Sequence, residues 1–178
     1  MAAPSQADWR RALVESFPEL FAPVGEPPTA PGRPCCGDGW RDLLQRACMR
    51  IRVAIADDGG RFRIDQVKEK YGTLRLSGSL SPEAAARVEE AVDLAEARSA
   101  VTCEVCGGAG VLRAGGWLAT RCAAHAEGRP AIEFDEGFEV LHVERRLVGD
   151  RVVVRYRFYD RAGDRFVEVG RGRGKKKE

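Results

Sequence analysis

The chain has 178 residues, 44% of them hydrophobic and 31% charged, with a formal net charge of +2. That size suits one domain with at most a small appendage, and the composition is that of a folded chain rather than a disordered one. No run approaches eighteen consecutive apolar residues, which excludes a membrane-spanning helix, and no secretory leader is expected from the opening MAAPSQADWRR.

Six cysteines in the cytoplasmic setting this predicts point to metal ligands and buried thiols rather than a disulfide framework. The charge is uneven. Residues 1–150 carry 19 basic against 23 acidic side chains, a net of −4, whereas residues 151–178 carry 10 against 4, a net of +6. The terminal GRGRGKKKE reads as a basic, flexible tail over 171–178, either solubilising or drawn to an anionic partner.

In chain order, Ser5 is placed to cap a first helix over 6–17, in which Trp9, Leu13 and Phe17 share a face until Pro18 intervenes. Residues 18–34 hold Pro18, Pro23, Pro27, Pro28, Pro31 and Pro34, and so form an extended cover or irregular loop. A helix over 39–56 follows, opened by Asp38 or Gly39. Trp40, Leu43, Leu44, Ala47, Cys48, Ile51, Ala54 and Ile55 trace its buried stripe, and Asp57 to Gly60 stop it. Cys48 lies within that stripe, as a packed thiol rather than a ligand.

Residues 61–70 predict a strand, Tyr71 and Gly72 a tight turn, and 73–77 the return strand. A two-residue turn pairs Glu69 with Leu74 and Val67 with Leu76. Phe62 and Ile64 then have the wrong parity, which a bulge near Asp65 and Gln66 repairs. Ser81 as cap and Pro82 at the first position start a helix to about 99, with a small-residue face of Ala84, Ala85, Val88, Ala91, Val92 and Ala95. Beyond the cysteine region, 131–143 shows short apolar alternations in both parities. A C-terminal hairpin is expected from strands at 151–159 and 165–169 around a turn at 160–164.

Residues 102–127, TCEVCGGAGVLRAGGWLATRCAAHAE, concentrate the chemistry. Two residues separate Cys103 from Cys106 and Cys122 from His125, and fifteen lie between the pairs. Tetrahedral zinc takes four such ligands, and a two-residue spacer lets both members of a pair reach one ion. Gly107 and Gly108 permit the turn of a metal knuckle. Residues 111–114 and 117–120 then flank Gly115-Gly116 as a hairpin, Trp117 covers the metal-bearing end, and 121–127 begin a short helix carrying Cys122 and His125. Knuckle, hairpin and helix together resemble a treble-clef zinc finger; a zinc ribbon, with the second pair on another knuckle, is the alternative.

A closed set of four ligands argues for a structural ion, because catalytic zinc keeps an open position. Glu104 and Glu127 are acids near the cluster with no assigned chemistry. A Cys122–His125 nucleophile pair would require a metal-free site. No Asp-His or His-His pair precedes a suitable strand, which argues against a ββα-metal nuclease. His142 reads as an ordinary, partly exposed side chain. Adjacent Cys35 and Cys36 chelate one ion poorly and read as local packing or redox-sensitive thiols. No catalytic residue is assigned.

Lys68 and Lys70 project on one strand face with Arg75 opposite Lys68, and a phosphate-bearing partner would screen their repulsion while Tyr71 adds a stacking surface. Asp65 and Glu69 are interspersed, so an ordinary solvated sheet face is the competing reading. Arg171, Arg173, Lys175, Lys176 and Lys177 offer backbone attraction without sequence reading. GxxxxGK[ST] is absent, so no phosphate loop is expected.

Four motifs in this order, CGDGW at 36–40, QVKEKYGTLRL at 66–76, CEVCG at 103–107 and GGWLATRCAAH at 115–125, resemble an uncharacterised family of small bacterial and phage proteins. The resemblance implies shared architecture and distribution, and no activity. The expected protein is α+β, with β hairpins packed with helices and a treble-clef-like structural zinc module. It divides into a helix and Pro-rich segment (1–34), an α-β-β-α core (35–100), the zinc module (101–128), a C-terminal β hairpin region (129–170) and the tail. The expected function is that of a non-enzymatic, zinc-stabilised protein-interaction or regulatory accessory module. A nucleic-acid-binding protein using the basic face and tail is the alternative, and a hydrolytic enzyme stands third.

Overall fold

Residues 9–21, 32–135 and 140–168 are described in the computed structural model of the chain. Helix α1 (Trp9–Ser16) buries Trp9, Leu13 and Val14, and the chain leaving it buries Phe17, Leu20 and Phe21. Leu20 runs beside the first sheet, where its carbonyl accepts from the Ile64 N–H at 2.8 Å. Ser5, Gln6, most of the Pro-rich segment, Val169 and the basic tail lie outside the described residues.

Helix α2 (Arg41–Asp58) follows a single tight turn at Asp38–Trp40 and ends where Gly59 turns left-handed at φ 71°. Its buried stripe is the expected one, from Trp40 through Leu43, Leu44, Ala47, Cys48 and Ile51 to Ala54. Cys48 is fully buried among these side chains, and burial pushes its thiol up to about 12. It is a packed thiol.

Strands β2 (Phe62–Lys70) and β3 (Thr73–Leu80) pair antiparallel around Tyr71 and Gly72, whose φ values of 57° and 78° suit a two-residue hairpin turn. Glu69 faces Leu74, Lys68 faces Arg75 and Val67 faces Leu76. The register shifts between Ile64 and Gln66, so the bulge restores Phe62 and Ile64 to the core side with Val67. Strand β1 (Pro34–Cys35) was not expected; it adds two residues in parallel to β2, opposite Val67 and Lys68. Helix α3 (Ala85–Ala100) follows a turn at Pro82–Ala84 and packs Val88, Ala91, Leu94 and Ala95 against α2 and β3. Ser81 stands at the N-cap position with Pro82 following, as expected, but its hydroxyl makes no capping hydrogen bond. It accepts instead from the Arg61 N–H at 2.8 Å, tying the strand's beginning to the helix's.

The cysteine region contributes strands β4 (Val111–Arg113) and β5 (Ala119–Arg121). The C-terminal part is a separate three-stranded sheet in the order β6 (Leu141–Val148), β7 (Arg151–Asp160) and β8 (Arg165–Glu168). Its β7–β8 hairpin matches the expected one, whereas β6 exceeds it. Among the described residues, no helix is long and apolar enough to cross a membrane.

Polar contacts join this second sheet to the helices. The Arg157 guanidinium lies 2.5 Å from Glu90, 3.4 Å from Asp93 and 3.4 Å from Glu144. Asp164, nearly buried, accepts from the Tyr159 hydroxyl at 2.7 Å and from Arg50 at 2.9 Å, with Arg98 at 3.3 Å. Burial opposes its charge, but the Tyr159 hydroxyl and Arg50 outweigh burial and hold the Asp164 carboxyl below its usual range. A carboxyl held low in the folded chain stabilises it above the unfolded pKa of about 4, and that contribution fades as pH falls through the folded value. Asp164→Asn is therefore expected to cost about 2 kcal/mol at neutral pH, since Arg98 keeps Asp42 at 3.6 Å and Arg50 is only partly buried. Urea denaturation at pH 7 and pH 3 measures this; the gap from wild type should narrow at the lower pH, and equal costs at both contradict the assignment.

Candidate metal centre

Chelation begins with local turns. The Cys103 N–H donates to the Gly108 carbonyl at 2.8 Å and the Gly107 N–H returns to the Cys103 carbonyl at 2.9 Å, closing the chain around Cys103 and Cys106. Gly107 sits at φ 75°, a conformation glycine adopts without strain. In the hairpin, Val111 lies opposite Arg121, Leu112 opposite Thr120 and Arg113 opposite Ala119, so β5 delivers Cys122 beside the first pair. The expected helix over 121–127 is a single turn, Ala123–His125, because Glu127 at φ 51° and Gly128 at φ 74° both leave helical space. That one turn suffices to bring His125 back to Cys122.

One ligand atom from each of Cys103, Cys106, Cys122 and His125 lies within 4.8 Å of every other. Cys106 Sγ is 3.8 Å from Cys122 Sγ, and His125 Nδ1 is 3.7 Å from Cys103 Sγ and 3.1 Å from Cys122 Sγ. A tetrahedral zinc site has sulfur–sulfur edges of about 3.8 Å and sulfur–nitrogen edges of about 3.5 Å, from its bond lengths of about 2.3 and 2.0 Å. The cluster is compatible with a metal ion. Cys103 is buried, Cys106 exposed, and Cys122 and His125 in between. Burial resists charge on Cys103, but hydrogen bonds from the amides of Cys122, Cys106 and Val105 overcome it and bring the thiol down to about 6. All six cysteines are free thiols.

The motifs flanking the cluster meet it. The Gly39 N–H donates to the Glu104 carbonyl at 2.8 Å, the Gly37 N–H donates to a Glu104 carboxylate oxygen at 3.0 Å, and the Trp40 indole N–H donates to the Thr102 carbonyl at 2.9 Å. From the other side, the Thr120 hydroxyl donates to the Gly72 carbonyl at 2.6 Å. A methyl on Gly39 would lie 2.3 Å from the Cys103 carbonyl oxygen, one on Gly37 2.3 Å from that of Glu104, and one on Gly72 2.4 Å from the Leu112 side chain. CGDGW and the YG turn are thus the two seats of the cysteine module. Sequence reasoning assigned the first to a helix start and the second to a turn, and missed the contact; the available signal was two glycines in CGDGW where the helix start needs neither.

Trp117 does not cover the metal-bearing end. It is 65% exposed, and its ring lies against the Arg129 guanidinium at 4.4 Å. Glu104 serves the Gly37 contact and lies 3.8 Å from Arg121, while Glu127 lies 4.0 Å from Arg129. His142 is mostly covered rather than loosely exposed: it stacks on Phe166 with ring centroids 4.9 Å apart and lies 3.5 Å from Asp93. It borders an open cleft of about 210 Å³ with Thr73, Arg75 and Glu96.

Of the basic strand face, Arg75 lies across from Lys68 as expected but also 3.7 Å from Glu96, and its guanidinium donates to the Leu74 carbonyl at 2.7 Å. Lys70 sits 5.2 Å from the ring of Tyr71, which is exposed. Cys36 is largely covered, and burial pushes its thiol up to about 12; Cys35 is exposed on β1. Arg171, Arg173, Lys175, Lys176 and Lys177 lie outside the described residues.

No family model matches the chain, and neither does any curated protein or solved structure.

The seats can be tested through their glycines. Gly39→Ala should cost at least about 2 kcal/mol, since backbone atoms on both sides must move to admit the methyl. Gly116, with nothing within 4 Å of the same position, should accept Ala at a cost under about 1 kcal/mol. Thermal unfolding compares the two; equal stability of the variants contradicts the close-approach reading.

Proposed function

We propose that Cys103, Cys106, Cys122 and His125 hold one structural zinc ion in a treble-clef-like module, and that the protein is a non-enzymatic interaction or regulatory accessory module. The carrying observation is the closed set of four ligand atoms, all within 4.8 Å of one another. Three thiol or thiolate ligands and one imidazole suit zinc, and four protein ligands leave no open position for a substrate. The ion would supply folding free energy by joining the knuckle to the end of β5, because the unfolded chain presents no such preformed site. Knuckle and hairpin support the treble-clef reading, and the terminal helix of that pattern is here reduced to one turn.

A protein partner is favoured by the apolar side chains that β6 and β7 expose, including Leu147 and Val152. The alternative, nucleic-acid contact through Lys68, Lys70 and the tail, draws support from the exposed Tyr71 ring beside Lys70. Binding through charge alone weakens steeply as salt rises, whereas apolar docking does not, so titrations at several salt concentrations separate the two.

Elemental quantitation of purified protein should find one zinc per chain. Cys106→Ser and Cys122→Ser should each lower metal content well below one and lower the melting temperature, while Cys48→Ala should keep full metal content. A folded, metal-free chain that melts unchanged after Cys106→Ser sinks this proposal.

A further inference from the structure

The C-terminal sheet faces the opposite way from most sheets packed on a helix. Its side against α3 carries Glu144, Arg157 and Tyr159, all buried, with the covered His142 and, towards the β6–β7 turn, the exposed Val148 and Val153. Its other side carries Val143, Leu147, Val152, Val154, Tyr156 and Val167, between 40% and 73% exposed. Strand pairing makes these side chains one patch: Val143 lies opposite Tyr156, Leu147 opposite Val152, and Val167 opposite Phe158, whose ring extends the same face. The exposed area of these residues is roughly 600 Å², at the upper end of what a monomer leaves open. A sheet with one apolar face needs a second layer against it.

The sequence itself holds no segment suited to that layer. The stretches outside the described residues, MAAPSQAD, APVGEPPTAP, EGFE and VGRGRGKKKE, each contain a single large apolar side chain at most. None of them has the apolar content to form that layer. The area of the face fits a second copy of this chain: two such faces stacked together bury roughly 1,200 Å², the lower bound of a specific interface. By strand register the charged side chains of this face are Arg145, opposite Val154 inside the patch, and the Asp160–Arg165 pair at its far end, 3.7 Å apart. A two-fold axis crossing the strands stacks the two sheets antiparallel.

We propose that the protein is a homodimer whose C-terminal sheets stack face to face through the patch around Leu147, Val152 and Tyr156. This deepens the interaction reading above by naming the partner, and it rests on that reading. The dimer is a β-sandwich with one sheet from each chain, and the metal modules take no part in its contact. Both copies present the same residues, so one substitution is felt twice.

The test uses the full chain purified with its metal. Sedimentation equilibrium over a concentration series should give twice the 19.5 kDa chain mass, falling to one chain on dilution. The double variant Leu147→Asp, Val152→Asp should weaken association by about 30-fold or more, as loss of a central apolar contact does. Its far-UV spectrum and metal content should stay unchanged, because both side chains lie mostly in solvent in the single chain. A milder pair, Leu147→Ser with Val152→Thr, serves should the aspartates disturb folding. Wild-type protein that stays one chain at 100 µM overturns the proposal, as does a dimer that persists in both double variants; a wild-type chain that remains single but binds a different protein through the patch rejects the second copy as occupant. Metal is quantified on the same samples. A metal-loaded single chain therefore rejects the dimer and leaves the zinc module standing, whereas a metal-free chain rejects the module at any mass.

Discussion

Two backbones that touch without side chains between them join the core of this protein to its cysteine module. The turn before α2 and the turn around Cys103 approach so closely that a single methyl on Gly39 would lie 2.3 Å from a carbonyl oxygen. The contact is polar as well as close: the Gly39 amide reaches the Glu104 carbonyl, and the Trp40 indole reaches the Thr102 carbonyl. Trp40 is fully buried, so its N–H must find a partner inside the protein, and the partner it finds belongs to the cysteine module. The residue that anchors α2 in the core thereby also orients the segment carrying Cys103. Thr120, hydrogen-bonded to the Gly72 carbonyl, does the same for the strand that carries Cys122. Both halves of the ligand set are aimed by the core before any ion is considered.

How far this was legible in the sequence depended on whether a local rule had only one solution. The clash of parity between Ile64 and Val67 can be removed only by an extra residue, and the register shift falls between Ile64 and Gln66. Chelating pairs with two-residue spacers likewise admit few geometries, and the four side chains do converge. Where the outcome depended on tertiary contact, the sequence was silent. Strand β1 is two residues long and exists only because Pro34 and Cys35 lie alongside β2. Strand β6 interrupts its apolar alternation with Arg145, so periodicity alone did not reveal its second half. Trp117 invited burial by residue type, yet the hairpin that carries it has three-residue strands, and the ring stays exposed against the Arg129 guanidinium. The glycines of CGDGW had a local explanation that concealed the true one.

The second sheet obeys a different logic from the first. The β1–β3 sheet is attached by apolar packing, through Val67, Leu74 and Leu76 against α2 and α3. The β6–β8 sheet is attached through Arg157 with Glu90 and Asp93 of α3 and through Asp164 with its arginines. Buried ion pairs recover in Coulomb attraction little more than they lose in desolvation, so they contribute orientation more than stability. Most of the apolar side chains this sheet exposes lie on the face away from the helices, whereas Val148, Val153 and Phe166 share the face of Arg157. Such a lobe is held at a defined angle by directional contacts while its adhesive surface is turned outward, the arrangement expected of an element whose packing is completed by a partner.

The cysteine module combines both strategies at a scale where neither suffices. Its buried side chains are few, namely Thr102, Cys103, Ala119 and Thr120, and a stretch of that length cannot bury enough apolar surface to fold by itself. The core supplies a template through Gly37, Gly39 and Gly72, and it reaches the knuckle too, where a methyl on Gly107 would lie 2.9 Å from the Gly39 carbonyl oxygen and Arg161 donates to the Gly107 carbonyl at 3.3 Å. Cys106 is exposed and His125 half-buried. A proposed ion at the centre of the four ligands joins this knuckle to the turn that carries Cys122 and His125. It also neutralises a thiolate that the amides around Cys103 already favour in a buried position. Template and ion therefore act together on one small module, and loss of either leaves the other with too little of the chain to hold.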